Sequence, residues 1–147
     1  MLQGTTEEIT EQAAIIEAIR RFQAGTKEVW YACVEKSLPA FSIGRVREGY
    51  LAAKARGVRI CYITEIVREN IGYCKEIMQF AEIRHMYGVK CNFALSESEF
   101  IAGIMQGGTL VSLVRTNIQG LVRQQHLVFQ TLWDCSEQSA ERIARLE

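Results

Sequence analysis

The chain has 147 residues, with 17 Lys and Arg against 17 Asp and Glu and 48% hydrophobic residues. This is the size and composition of one globular domain with a sizeable core, and we expect a single domain over residues 1–147. The formal net charge of zero argues against a general nucleic-acid binder, because such proteins carry a basic excess that neutralises phosphates. Asp134 is the only Asp, which excludes phospho-receiver domains because they are built on a cluster of Asp side chains.

No segment of the sequence indicates a membrane span or a secretory signal. The longest uncharged run, residues 100–114, is shorter than the roughly 20 residues that a spanning helix needs. The first ten residues lack the basic and apolar regions of a signal peptide. Five cysteines without a C-x-x-C pair indicate neither a zinc ribbon nor a disulfide framework. We therefore expect a cytoplasmic protein without a membrane partner.

The first half of the chain predicts alternating helices and strands. A capping box at Thr5 and Glu8 precedes apolar residues at helical spacing, which predicts a first helix over residues 6–23. The short apolar run VWYACV predicts a strand over 29–34. A loop with the only proline follows over 37–42.

The next segments continue this alternation. A second helix is expected to end at Gly57 after a basic last turn, and VRICYIT predicts a strand over 58–64. Asn70 is expected to cap a third helix that continues to about residue 86, with His85 near its end. The remaining predicted elements are a strand over 90–95, a hairpin of 100–105 and 110–114, and helices over 116–133 and 136–146.

This order of elements predicts the fold class. Strand–helix–strand alternation implies right-handed crossovers and parallel pairing, whereas the hairpin requires antiparallel pairing. The sequence therefore predicts a single-domain α/β fold with a mixed, mainly parallel sheet flanked by helices, and a long C-terminal helix. Residues 134–147 are a candidate signalling-helix extension.

Polar side chains follow the second predicted strand directly. Thr64 ends that strand, Glu65 follows it and Asn70 lies in the next loop, while Glu35 and Lys36 follow the first strand. Ligands in open α/β sheets gather at the carboxyl ends of the strands. We therefore expect these loops to form a site for a small polar ligand or an ion, and ordinary loop polarity and helix capping are the alternative.

Histidines and cysteines offer a second candidate site. Cys61 and Cys91 lie in predicted strands that neighbour each other, and His85 precedes the strand that contains Cys91. These three residues are a candidate metal or haem site, or a thiol-redox site. The alternative is structural, because buried strand cysteines are usually small inert hydrophobes. In the predicted arrangement, a capping or core role is also the commoner use of His85, because it would lie at the amino edge of the sheet.

Many short runs of the chain resemble a module of archaeal sensor histidine kinases. The resemblance extends from about residue 16 to residue 146 and is carried by RGVRI (56–60), ITEI (63–66), ENIxYCKE (69–76), EIRH (82–85), GVK (88–90), NF (92–93), SESEF (96–100), TNI (116–118), QQ (124–125) and FxTLW (129–133). This chain departs from the module in MYG at 86–88, where relatives commonly have Leu-Asp-Gly, and in Cys91, where they often have Gly.

The resemblance implies a phospholipase-D-like fold that serves as a sensory input domain. Phospholipase D enzymes need the motif His-x-Lys-x4-Asp, and the residues two positions after His85 and His126 are Tyr87 and Val128. We therefore expect a chain that is not an enzyme, and any kinase activity would lie outside it. The candidate ligand-binding residues are Thr64, Glu65, Arg59, Asn70, Arg84 and Asn92.

These expectations combine into one functional hypothesis and two alternatives. The chain would bind a small molecule or ion, relay the signal through its C-terminal helices to a kinase or regulatory domain, and pair as a homodimer without nucleic acid. The first alternative is a metal, haem or thiol-redox sensor that uses Cys and His. The second is a divergent phosphodiesterase-like enzyme.

Overall fold

An eight-stranded mixed sheet organises the chain in the computed structural model, which describes residues 4–36 and 44–147. In chain order the elements are β1 (Thr6–Ile9), α1 (Gln12–Gly25), β2 (Val29–Val34), α2 (Gly44–Ala55), β3 (Arg59–Thr64), a 3-10 turn (Arg68–Asn70), α3 (Ile71–Ile77), β4 (Glu82–His85), β5 (Asn92–Leu95), β6 (Phe100–Gln106), β7 (Thr109–Thr116), α4 (Gln119–Asp134), β8 (Glu137–Gln138) and α5 (Ser139–Leu146). The predicted loop over 37–42 lies outside the described residues.

The strands are ordered β1-β7-β6-β5-β2-β3-β4-β8 across the sheet. Parallel pairing is confined to the central group β2-β3-β4, and the other five strand pairs are antiparallel. The mixed α/β sheet flanked by helices is thus confirmed. Parallel pairing is less extensive than expected, because β5 follows β4 without a crossover helix and runs antiparallel to β2.

Two apolar cores lie on opposite faces of this sheet. The larger core combines residues of α1, α2, α3 and α5, including Phe22, Tyr50, Ile77 and Ile143. The smaller core lies under α4, which contributes side chains such as Phe129. Burying a large apolar side chain of this kind stabilises the fold by about 2–3 kcal/mol.

The prediction for the start of the chain is wrong. Residues 6–9 form β1, which pairs antiparallel with β7, and α1 begins only at Gln12. The capping-box pattern indicated a helix, but β7 would otherwise be an edge with open backbone groups. Pairing with β1 satisfies them, and this long-range gain outweighs the local preference.

The third helix is also shorter than predicted. It ends at Ile77, and after a turn over residues 78–81 the chain forms β4. Ile83 and His85 are buried while Glu82 is exposed, which is the period-2 pattern of a strand. Apolar residues at helical spacing masked this pattern in the sequence. No helix among residues 4–36 and 44–147 is long and apolar enough to cross a membrane.

Candidate functional site

The correction to β4 moves His85 to the other edge of the sheet. His85 is the last residue of β4 and pairs in register with Thr64, the last residue of the parallel strand β3. Both side chains are buried, each with 2% of its surface exposed. His85 therefore lies at the carboxyl edge of the parallel strands, where ligands of open α/β sheets bind.

The imidazole of His85 has one engaged nitrogen and one unpartnered nitrogen. The Ile66 backbone N–H donates to His85 Nδ1 over 2.9 Å, so the neutral ring carries its proton on Nε2. Nε2 is buried and has no hydrogen-bond partner among the residues that the structure describes. The ring also meets the Tyr87 ring edge-on, with centroids 4.5 Å apart.

Burial lowers the pKa of His85 below its usual value, because a charged imidazolium would lose its hydration. The positive charge of Arg142 lowers this pKa further. The negative charges of Glu137 and Glu65 raise the pKa of His85, and the positive charge of Arg145 lowers it. The neutral form of His85 is thus favoured, and it is also the form that accepts the Ile66 hydrogen bond.

Asn70 holds the loop after β3 in place. Its Oδ1 accepts the Val67 backbone N–H and its Nδ2 donates to the Glu65 carbonyl oxygen, both over 2.9 Å. The Glu65 side chain forms an ion pair of 3.6 Å with Lys36, which follows β2. Thr64 and Glu65 thus lie at the end of β3 beside Asn70, whose side-chain amide bonds to the backbone of the loop.

The terminal helix α5 contacts the same edge of the sheet. Arg142 Nε donates to the Ile66 carbonyl oxygen over 3.0 Å, and Arg142 Nη1 donates to the Tyr87 hydroxyl over 2.8 Å. Arg68 Nε donates to the Leu146 carbonyl oxygen over 3.1 Å. The strand β8 pairs with Arg84 and His85 of β4. The end of the chain is thus bonded both to β4 and to the loop after β3.

The structure separates two of the other three predicted ligand residues from this group. Arg59 begins β3 and pairs with Glu82 over 3.5 Å, at the opposite end of a strand about 16 Å long. Arg84 donates to the Trp133 carbonyl oxygen over 2.9 Å and lies over its ring on the α4 face. Asn92 Oδ1 accepts the Glu35 backbone N–H over 3.1 Å. Asn92 pairs with Val34 at the carboxyl end of β2, next to the segment whose Lys36 pairs with Glu65, so only Arg59 and Arg84 are separated from this group.

The candidate metal site is not assembled either. No group of three or more His, Cys, Asp or Glu side chains in the described part of the chain is placed to hold a metal ion. Burial raises the pKa of Cys61 to about 11, which opposes the thiolate that a metal requires. The Cys91 sulfur instead lies 3.6 Å from that of Cys33.

Sequence reasoning missed three residues of the carboxyl edge. Tyr87, Arg142 and Glu137 surround His85, yet only Tyr87 is close to it in sequence. Arg142 and Glu137 reach the site because β8 pairs with β4 and turns α5 onto the loop after β3. No local pattern indicates that pairing.

Comparison with solved structures identifies the fold. NucT from Helicobacter pylori matches with a TM-score of 0.75 at 9% identity, covering 92% of this chain and 99% of that chain. Nuc from Salmonella typhimurium, a phospholipase D family member, matches with a TM-score of 0.67 at 13% identity, covering 92% and 98%. The fold is phospholipase-D-like. No protein-family model matches the chain, and no curated protein matches its sequence.

A third similar structure is that of TrmBL2, an archaeal chromatin protein that shows a novel mode of DNA binding. It matches with a TM-score of 0.68 at 10% identity, and the match covers 90% of this chain. The match covers 53% of the chromatin protein, so this chain spans about half of its length.

These similarities correct two expectations. The expectation that the chain is not an enzyme is wrong on this comparison, because the chain shares its fold with a member of the phospholipase D family. The expectation of no nucleic-acid partner is likewise overturned by the similarity to a DNA-binding protein. The zero net charge on which that expectation depended describes the whole chain and not any one surface.

Proposed function

We propose that this phospholipase-D-like domain is a cytoplasmic signal-input domain whose ligand site is the carboxyl edge of β3 and β4. A small molecule or ion would bind there beside Glu65 and His85. The terminal helix α5 would carry the response to a kinase or regulatory domain. The observation that carries this proposal is the pair of hydrogen bonds from Arg142, which tie α5 to Ile66 and Tyr87.

The proposed relay depends on Ile66, whose backbone bonds both to His85 and to Arg142 of α5. Ile66 donates its N–H to His85 and accepts from Arg142 through its carbonyl oxygen. A ligand that moves His85 or the loop after β3 therefore changes the contacts that hold α5. A ligand with unequal affinity for the docked and released states of α5 shifts their populations by that difference in affinity.

Lowering the pH, which protonates His85, directly tests whether His85 is coupled to α5. When His85 is protonated, Nδ1 becomes a donor and can no longer accept the Ile66 N–H, and the new charge faces Arg142 and Arg145. We expect faster hydrogen–deuterium exchange of the α5 amides as the pH falls, after correction for the intrinsic pH dependence of exchange. His85→Asn, which keeps a side-chain acceptor, should remove this response.

His126→Asn is the matched control, because His126 is the only other histidine of the chain and lies on α4. Its substitution should leave the α5 response unchanged. If the corrected exchange of α5 follows pH equally in the wild type and in His85→Asn, the carboxyl edge is not coupled to the terminal helix and the proposal fails.

A nucleic acid is the second candidate ligand, and the similarity to a DNA-binding chromatin protein favours it. Fluorescence anisotropy with labelled single-stranded and double-stranded oligonucleotides tests it directly. Binding through contacts with the phosphates would weaken steeply as the salt concentration is raised. Loss of intact oligonucleotide in the same samples would reveal phosphodiester cleavage. No anisotropy change at low salt with either oligonucleotide would exclude this candidate.

A further inference from the structure

Two cysteines that are distant in sequence meet at one side of the sheet. Cys33 lies in β2 opposite Phe93 of β5, and Cys91 precedes Phe93 by two residues. Directly opposed residues of adjacent strands share a face of the sheet, and so do residues two apart along one strand, which puts Cys91 on the same face as Cys33. The two sulfur atoms are accordingly 3.6 Å apart. Cys33 is buried, with 1% of its surface exposed, whereas Cys91 is exposed.

The two thiols differ in their protonation. The hydrogen bond from the Cys33 thiol lowers the pKa of Cys91 to about 7, against the opposing effects of burial and of Glu35. The same contact, together with burial, raises the pKa of Cys33. Near neutral pH the accessible Cys91 sulfur is thus the nucleophile and Cys33 retains its proton.

We propose that Cys33 and Cys91 are a modification site at which a peroxide converts the two thiols into a reversible disulfide. This proposal does not rest on the ligand site proposed at the carboxyl edge of β3 and β4. It rests on the placement of two sulfur atoms in contact, one accessible to solvent and the other buried behind it.

The reaction proceeds in two balanced steps. The Cys91 thiolate attacks one peroxide oxygen, the O–O bond breaks, and Cys91 becomes a sulfenic acid while hydroxide leaves. The Cys33 sulfur then attacks the Cys91 sulfur, the S–O bond breaks, and water leaves with the Cys33 proton. Two electrons pass from the two thiols to one peroxide, and a dithiol reductant reverses the change.

The local structure allows this bond to form. A disulfide needs the sulfurs about 2 Å apart, so they must approach each other from their contact distance. Cys33 is fixed within β2, but Cys91 lies outside β5 and precedes it. Movement of Cys91 can therefore close the gap without breaking the β2–β5 ladder. The bond would cross-link these strands beside the Glu35–Asn92 hydrogen bond.

Hydrogen peroxide added to the reduced wild-type protein tests the proposal. Intact mass should fall by two hydrogens, and a tryptic digest without reductant should contain peptides 28–36 and 91–115 joined by a disulfide. Before oxidation, Cys91 should be alkylated at neutral pH roughly tenfold faster than Cys135, with an apparent pKa of about 7. Cys135 is the matched control because it is the other exposed cysteine.

Two variants separate the roles of the sulfurs. In Cys33→Ser, oxidation should stop at a Cys91 sulfenic acid that dimedone traps, and Cys91→Ser should abolish the reaction. The wild-type peptide map does not depend on how these variants fold. The proposal is overturned if the joined peptides are absent, if Cys135 oxidises as fast as Cys91, or if the disulfide joins Cys91 residues of two chains.

Discussion

The two ends of the parallel strands β3 and β4 both carry charged residues, but they use them differently. At the amino edge, Arg59 and Glu82 form one ion pair whose side chains are 55% and 59% exposed. At the carboxyl edge, Arg142 bonds to a backbone carbonyl and a tyrosine beside the buried His85. The exposed Arg59–Glu82 ion pair is solvated and adds little stability. Arg142 instead joins α5 to the segments that follow β3 and β4. A charge pattern in the sequence does not distinguish these two cases.

The largest expected effect is at the apolar anchor of α5. Ile143→Ala should lower the free energy of unfolding by about 3 kcal/mol, because Ile143 is buried in the larger core and its loss leaves a cavity. Chemical denaturation measures this change. Leu127→Ala on α4 is the control, since Leu127 is 71% exposed and its loss should have little effect. Equal effects would mean that α5 is not anchored at the carboxyl edge.

The second effect compares the two edges directly. Arg142→Ala should lower the free energy of unfolding by about 1–2 kcal/mol, because two hydrogen bonds and a contact with the Tyr87 ring are lost. Arg59→Ala at the amino edge should cost less than about 0.5 kcal/mol. Urea denaturation of both variants in parallel gives the difference. A reversed order would contradict the distinction drawn between the edges.

The third effect concerns pH. Burial holds the pKa of His85 below its usual 6.5, so below about pH 6.5 the unfolded chain binds a proton that the folded chain does not. The stability that neutral His85 contributes is therefore present above this pH and decreases as the pH falls through the lowered pKa. The free energy of unfolding is measured as a function of pH for the wild type and for His85→Asn. The difference between the two curves should isolate this decrease.

His126→Asn, on α4, is measured in parallel as the control for replacing a histidine away from the carboxyl edge. A difference profile between wild type and His85→Asn that is flat from about pH 7.5 to about pH 5 would show that His85 titrates alike in the folded and unfolded chains.

The smallest effect is at the amino edge itself. Glu82→Gln removes the ion pair with Arg59 and should change the free energy of unfolding by less than about 0.5 kcal/mol, because both side chains are mostly exposed. Raising the salt concentration should reduce even this difference. A change above about 1 kcal/mol would mean that this edge also has a structural role.

The elements with strong local patterns were predictable from the sequence. The apolar run of β2, the glycine that ends the predicted second helix, and the hairpin around Gly107 and Gly108 are found close to their expected positions. These signals are local, since each depends on side-chain periodicity or on the backbone freedom of glycine at positive φ. The mixed α/β fold class followed from their order.

The strands β1, β4 and β8 were not predictable in the same way. They have four, four and two residues, too few to show a clear period. They form because a neighbouring strand offers unpaired backbone groups, and that neighbour is distant in sequence for β1 and β8. The prediction of the candidate site was affected most by these missed strands, because β4 and β8 place His85 and α5 at the carboxyl edge.

By itself the sequence determined the class of fold, the strands β2 and β3, and the loop of Thr64, Glu65 and Asn70. Only the tertiary structure decided which edge His85 occupies, which arginine lies beside it, and that Cys33 and Cys91 touch. The physical reason is the range of the interactions. Periodicity and turn chemistry act over a few residues, whereas strand pairing and the contacts it creates join residues whose separation no local pattern encodes.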